Sequence, residues 1–87
     1  MDSVKNQITA IRSILESDKK SVSEEDKQAI LESLDIIEDT FIENTGDVPE
    51  EFVNVDQTCN WLFDEGEFTD ELEYELRTTL NKLESTL

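Results

Sequence analysis

Carboxylates are the reactive groups this sequence supplies in quantity. Between Gln28 and Leu76 there are sixteen acids and no lysine or arginine. The flanks almost cancel, so this one stretch carries a charge equal to the −16 of the whole molecule. Carboxylates can move protons as a general acid–base pair. They can hold hard cations through oxygen, or present a field that steers a charged partner. The first use needs two carboxyl groups set apart from the rest, and nothing in the spacing singles out one pair among 23 acids.

The other chemistry-bearing residues narrow the choice. There is no histidine and one cysteine, so an imidazole or thiolate metal centre has too few ligands. Cys59 falls on an apolar stripe, where a small core residue is expected rather than a nucleophile. Gly46 and Gly66 are the two glycines, too far apart to build a phosphate-cradling loop or a nucleophile elbow. The segment from Asp64 to Glu75 begins and ends as a calcium-binding EF-hand loop does. Its glycine is third rather than sixth, however, and Phe68 takes a ligand position. The expectation is a protein without cofactor, metal site or enzymatic activity.

Four amphipathic helices must position these acids. Val4, Ile8, Ile11 and Leu15 recur at spacings of four, three and four, which predicts a first helix from Val4 to Glu16 capped by Ser3. Ser17 to Ser23 reads as a polar connection. The second helix begins near Ser21 or Ser23. Ser21 with Glu24 fits a capping box, and Ser23 would put Glu24, Glu25 and Asp26 in the first turn. Ile30, Leu34, Ile37 and Phe41 form its inward stripe. Asn44-Thr45-Gly46 stops it, and Pro49 suits the first turn of a third helix. Phe52, Val55, Cys59 and Leu62 line that helix until a turn at Gly66. Thr69 caps a fourth, whose stripe is Leu72, Leu76, Thr79, Leu80, Leu83 and Leu87. No alternating strand pattern occurs. The fold class is all-α, a compact bundle of about four short helices in one domain spanning residues 1–87.

Placed on these helices, the acids become a pattern. Glu32, Asp35, Asp39 and Glu43 fall within about 80° of one another, opposite the apolar stripe of the second helix. Glu50 stands at the turn before the third helix, and Asp64, Glu65, Glu67, Asp70 and Glu71 cluster at the turn before the fourth. Charged runs are ordinarily solvated helix faces. Such faces mix signs, because like charges one turn apart destabilise a helix. Acids three and four residues apart rise ~4.5–6 Å along the axis, a scale comparable to the ~3.4 Å of phosphates on one DNA strand. Two aromatics lie off the stripes. Trp61 is about 180° from Phe52, and Tyr74 about 200° from Leu72. Each is either an interface anchor or a cover for a neighbouring helix. For Trp61 a third option is that its helix ends early and lets it tuck inward.

A charge of −16 repels nucleic acid and anionic membranes and selects basic partners. No apolar run approaches the ~20 residues that span a bilayer, so the expectation is a soluble, cytoplasmic protein. In size, charge and helicity the chain is similar to phage-encoded DNA mimics, the anti-restriction and anti-CRISPR proteins, and to the acidic immunity proteins that block nuclease toxins. That resemblance implies a basic nucleic-acid-binding partner: a nuclease, a restriction or CRISPR effector, or a transcription factor. A homodimer would lengthen the acidic surface. The partner-binding residues expected are the ten acids just placed (Glu32 to Glu43, Glu50, and Asp64 to Glu71), with Trp61 and Tyr74. An alternative starts from Glu32-Ser33-Leu34-Asp35-Ile36-Ile37-Glu38 followed by Val48-Pro49-Glu50-Glu51, which resembles an acyl carrier protein. That likeness implies a phosphopantetheine on Ser33, although Glu32 stands where the family has Asp and no glycine precedes it. A third reading is a helical adaptor subunit that binds through Trp61 and Tyr74.

Overall fold

The computed structural model describes residues 1–17 and 20–87; positions 18 and 19, within the predicted polar connection, lie outside the described residues. Four helices follow one another: α1 Asp2–Leu15, α2 Glu24–Thr45, α3 Glu50–Glu65 and α4 Asp70–Ser85. Each supplies four side chains to a single core: Val4, Ile8, Ile11 and Leu15; Ile30, Leu34, Ile37 and Phe41; Phe52, Val55, Cys59 and Leu62; Leu72, Leu76, Leu80 and Leu83. These are the stripes that the 3.6-residue period marks out. The chain runs up, down, up and down as two close hairpins, α1 with α2 and α3 with α4. Contacts of α1 with α4, and fewer of α2 with α3, join the hairpins.

The helix ends show where local chemistry decided the boundaries. α1 starts earlier than expected. Its N-cap is Met1, which makes no side-chain cap bond, and Ser3 sits inside the first turn. α2 is capped by Ser23, not Ser21. The Asp26 backbone N–H donates to the Ser23 hydroxyl at 3.1 Å, and the Ser23 N–H donates back to the Asp26 carboxylate at 3.4 Å. The capping box therefore uses Asp26 where the sequence offered Glu24 as partner. Ser21 is occupied differently, in an isolated antiparallel bridge with Glu67. Pro49 precedes the third helix as its N-cap, in extended geometry, rather than lying in the first turn. Thr69 caps α4 as expected, accepting from the Leu72 N–H at 3.2 Å.

The two loops at one end of the bundle are stitched together. The Val22 N–H donates to the Gly66 carbonyl at 2.9 Å, and the Phe68 N–H to the Lys20 carbonyl at 2.7 Å. This pairing fixes the α3–α4 turn against the start of α2. Gly66 makes it feasible, because it closes α3 at φ 72°, the left-handed region open to glycine. A Cβ at Gly66 would meet nothing within 4 Å, so alanine there carries a purely conformational cost. Gly66→Ala is expected to lose about 1 kcal/mol in a denaturant titration, and Gly66→Asn less, since asparagine tolerates this conformation better.

Candidate functional site

Around this core the ten carboxylates expected to bind a partner divide into a row, a cluster and Glu50 alone. The first lies along α2. Glu32, Asp35, Asp39 and Glu43 are all exposed and climb about 16 Å of helix axis. Ile36 and Ile42, 40% and 47% exposed, lie at the two edges of this row. The second group sits at the stitched end, where Asp64, Glu65, Glu67, Asp70 and Glu71 are exposed around the α3–α4 turn. Glu50 is exposed at the opposite end, about 21 Å along α3 from Asp64. The expected site residues therefore form a row and a cluster, with Glu50 apart from both.

The loop pairing brings the start of α2 beside the cluster. Glu24 and Glu25 are exposed there, and Glu25 stands two helical turns, seven residues, before Glu32 on the same face. These two acids connect cluster and row. Their place was hidden in the sequence because the first 27 residues nearly balance in charge, which averages Glu24 and Glu25 away against the five bases of that segment.

Three of the cations, Arg12, Arg77 and Lys27, are engaged elsewhere, whereas Lys20 borders the cluster in a recess that it lines with Glu67, Asp70 and Glu73. Arg12 forks onto Glu84, with Nη1 to Oε2 at 3.0 Å and Nη2 to Oε1 at 3.2 Å. The hydrogen bonds and charge of that guanidinium hold the Glu84 carboxyl below the usual carboxylate range. Arg77 lies 3.9 Å from Glu16, so both arginines join α1 to α4. The Lys27 ammonium sits 5.7 Å above the Phe63 ring. Among the described residues no ion pair reaches Glu32, Asp35, Asp39 or Glu43. Neither α2 nor α3 has a basic residue in its last turn. Glu43, Asp64 and Glu65 thus face the negative end of their own helix dipoles, a position that costs stability.

The one thiol is closed off. Cys59 is fully buried, and burial, with a smaller contribution from the Asp56 charge, pushes its thiol up to about 12. Thiolate is the nucleophilic form. A disulfide reagent at pH 8 is expected to leave the native protein unmodified and to react at once in denaturant. The sign of the linkage follows: the buried thiol favours folding below the ordinary thiol pKa. That contribution fades as pH rises towards about 12. Among the described residues no cluster of three or more His, Cys, Asp or Glu has metal-binding geometry. A recess of about 490 Å³ at the Glu50 end is lined by Met1, Phe41, Thr45, Asp47, Val48, Pro49, Thr86 and Leu87. It offers one carboxylate and no convergent polar set.

Trp61 lies within α3, 41% exposed, and Tyr74 is 70% exposed on α4. α3 does not end before Trp61; it is Phe63, two residues on, that packs against the core. Each aromatic is four residues from the α3–α4 turn, Trp61 before the end of α3 and Tyr74 after the start of α4. Ser33 is buried in the middle of α2. The architecture defines an all-α four-helix bundle, and among the described residues no helix is long and apolar enough to cross a membrane. No family model, curated protein or solved structure matches the chain.

Proposed function

We propose that this is a binding protein that occupies the nucleic-acid-binding surface of a basic partner by presenting a phosphate-like row of carboxylates. The observation that carries the reading is the α2 face: four exposed acids at three- and four-residue spacing, with no cation paired to them among the described residues. Left without compensation, that row and the acids at the helix C-termini raise the free energy of the folded chain. A basic surface would relieve this repulsion and release its own counterions. A rigid bundle also holds the row at fixed intervals, as a duplex holds its phosphates.

The partner is then a nuclease, a restriction or CRISPR effector, or a transcription factor, and the mode of action is that of phage anti-restriction, anti-CRISPR or nuclease-immunity proteins. The carrier reading gains nothing from the placement of Ser33, because a prosthetic arm needs an exposed hydroxyl. The test is competition: the protein should displace a DNA or RNA oligonucleotide from such a partner, with affinity falling steeply as salt rises. Binding that ignores ionic strength would sink the charge-mimic reading and favour an adaptor that uses apolar contacts.

A further inference from the structure

The outer face of α3 departs from the rest of the surface. It bears exposed Val53, Asn54, Gln57, Asn60 and Trp61, none of them charged, on a chain of net charge −16. Asp56 is the only acid between Glu51 and Asp64, and it is half-buried at the edge of the core stripe. Val53 and Trp61 are 39% and 41% exposed, and no fold requirement places them outward.

The arrangement is symmetric about Gln57. Val53 lies four residues before it and Trp61 four after. Asn54 lies three before and Asn60 three after. Glu50 and Asp64 close the series seven residues to either side. Glu50, Val53, Gln57, Asn60 and Asp64 also follow the alternating three–four spacing of a coiled-coil seam.

We infer that this face is the seam of an antiparallel homodimer, with a two-fold axis passing beside Gln57. A two-fold interface must be complementary to itself, and this one is. Val53 meets Trp61 of the second copy, twice. Asn54 meets Asn60 of the second copy, and Gln57 meets its own copy. Side-chain amides both donate and accept, so amide pairs satisfy one another without a charged partner. The antiparallel setting also opposes the two α3 dipoles favourably. The two-fold symmetry of the series selects a second copy as occupant, and the neutral centre is what lets two acidic chains meet there. Two chains of −16 repel, and α3 offers contact without facing carboxylates in its centre. A basic partner would gain little from a neutral face. At the rims, however, Glu50 meets Asp64 of the second copy, a like-charge pair at each end.

These rims make the dimer weak and salt-dependent. A single helix pair is also at the small end of stable interfaces. Self-association should tighten with salt, the opposite of the trend proposed for the α2 row. It leaves that row uncovered and does not rest on the charge-mimic reading.

Sedimentation equilibrium tests it, run with the full chain at ~0.02 M and ~0.5 M NaCl, where screening lengths are about 20 Å and 4 Å. Emission from Trp61, the single tryptophan, is followed against concentration. The dissociation constant is expected to fall at least about tenfold at high salt, with a blue shift as Trp61 is covered. Glu50→Lys turns both rim pairs from repulsive to attractive and should tighten the dimer about tenfold. Gln57→Glu sets two carboxylates on the axis and should abolish it. Asn6→Glu adds the same charge on the exposed surface of α1 and should leave it intact. All positions changed are exposed, and circular dichroism checks that the variants fold. A monomer at high salt across the accessible concentrations would overturn the proposal. So would equal effects of Gln57→Glu and Asn6→Glu, or no response to Glu50→Lys.

Discussion

Ile37→Ala is expected to cost about 3 kcal/mol of folding stability, while the neighbouring Ile36→Ala changes it by less than about 0.5 kcal/mol. Ile37 is completely buried and Ile36 is 40% exposed, although they are adjacent and chemically identical. Truncating Ile37 removes three carbons from a core to which each helix contributes only four buried apolar side chains. It leaves a cavity that the surrounding helices fill only in part. A domain of this size has a total stability of ~5–10 kcal/mol, reduced here by self-repulsion of the carboxylates. A loss of about 3 kcal/mol therefore takes a large share of the reserve and lowers the melting temperature by roughly 12–20 °C. Thermal unfolding followed by circular dichroism measures both variants. Equal losses at the two positions would mean that α2 is rotated from the orientation described.

That pair of isoleucines also marks what the sequence could and could not disclose. The stripe through Ile30, Leu34, Ile37 and Phe41 was legible because burial of one helix face imposes a period, and those four side chains are all buried. Ile36 and Ile42 carry the same chemistry without the period, so their exposure follows from the stripe rather than from their residue type. The boundaries were less legible where two caps competed. Ser21 and Ser23 both had an acid three residues later, at Glu24 and Asp26. The choice was made by a distant partner, since Ser21 is drawn into a bridge with Glu67 that no local pattern encodes. Long-range placement of charge was hidden for the same reason. Glu24 and Glu25 meet the cluster around the α3–α4 turn because the Lys20–Val22 and Gly66–Phe68 backbones pair. The neutral seam on α3 was visible residue by residue, and became a feature only once Trp61 was fixed outward.

The sharpest separation of function from fold comes from Asp35→Lys/Asp39→Lys/Glu43→Lys. Each replacement changes the charge by two, so the three together move the formal net charge from −16 to −10. For the folded chain this is relief. The present row sets Asp35 one turn from Asp39, and Asp39 one turn from Glu43, each pair repelling by a few tenths of a kcal/mol. A lysine at position 35 lies three residues from both Glu32 and Glu38, and one at position 43 faces the negative end of the α2 dipole. The three new lysines repel one another, which offsets part of the gain. The global field nevertheless weakens, so the net expectation is unchanged or higher stability, by up to about 1 kcal/mol. For a basic partner the same change is a loss. Three attractive contacts become repulsive, each worth on the order of 1 kcal/mol or more when desolvated, so affinity should fall at least about a hundredfold at low salt. Measuring thermal stability beside competition for the partner's oligonucleotide separates the two. A variant that is as stable as the native chain and binds poorly assigns the row to recognition. A variant that loses stability and retains binding would show that the carboxylates serve the fold, and that the partner surface lies elsewhere on the bundle.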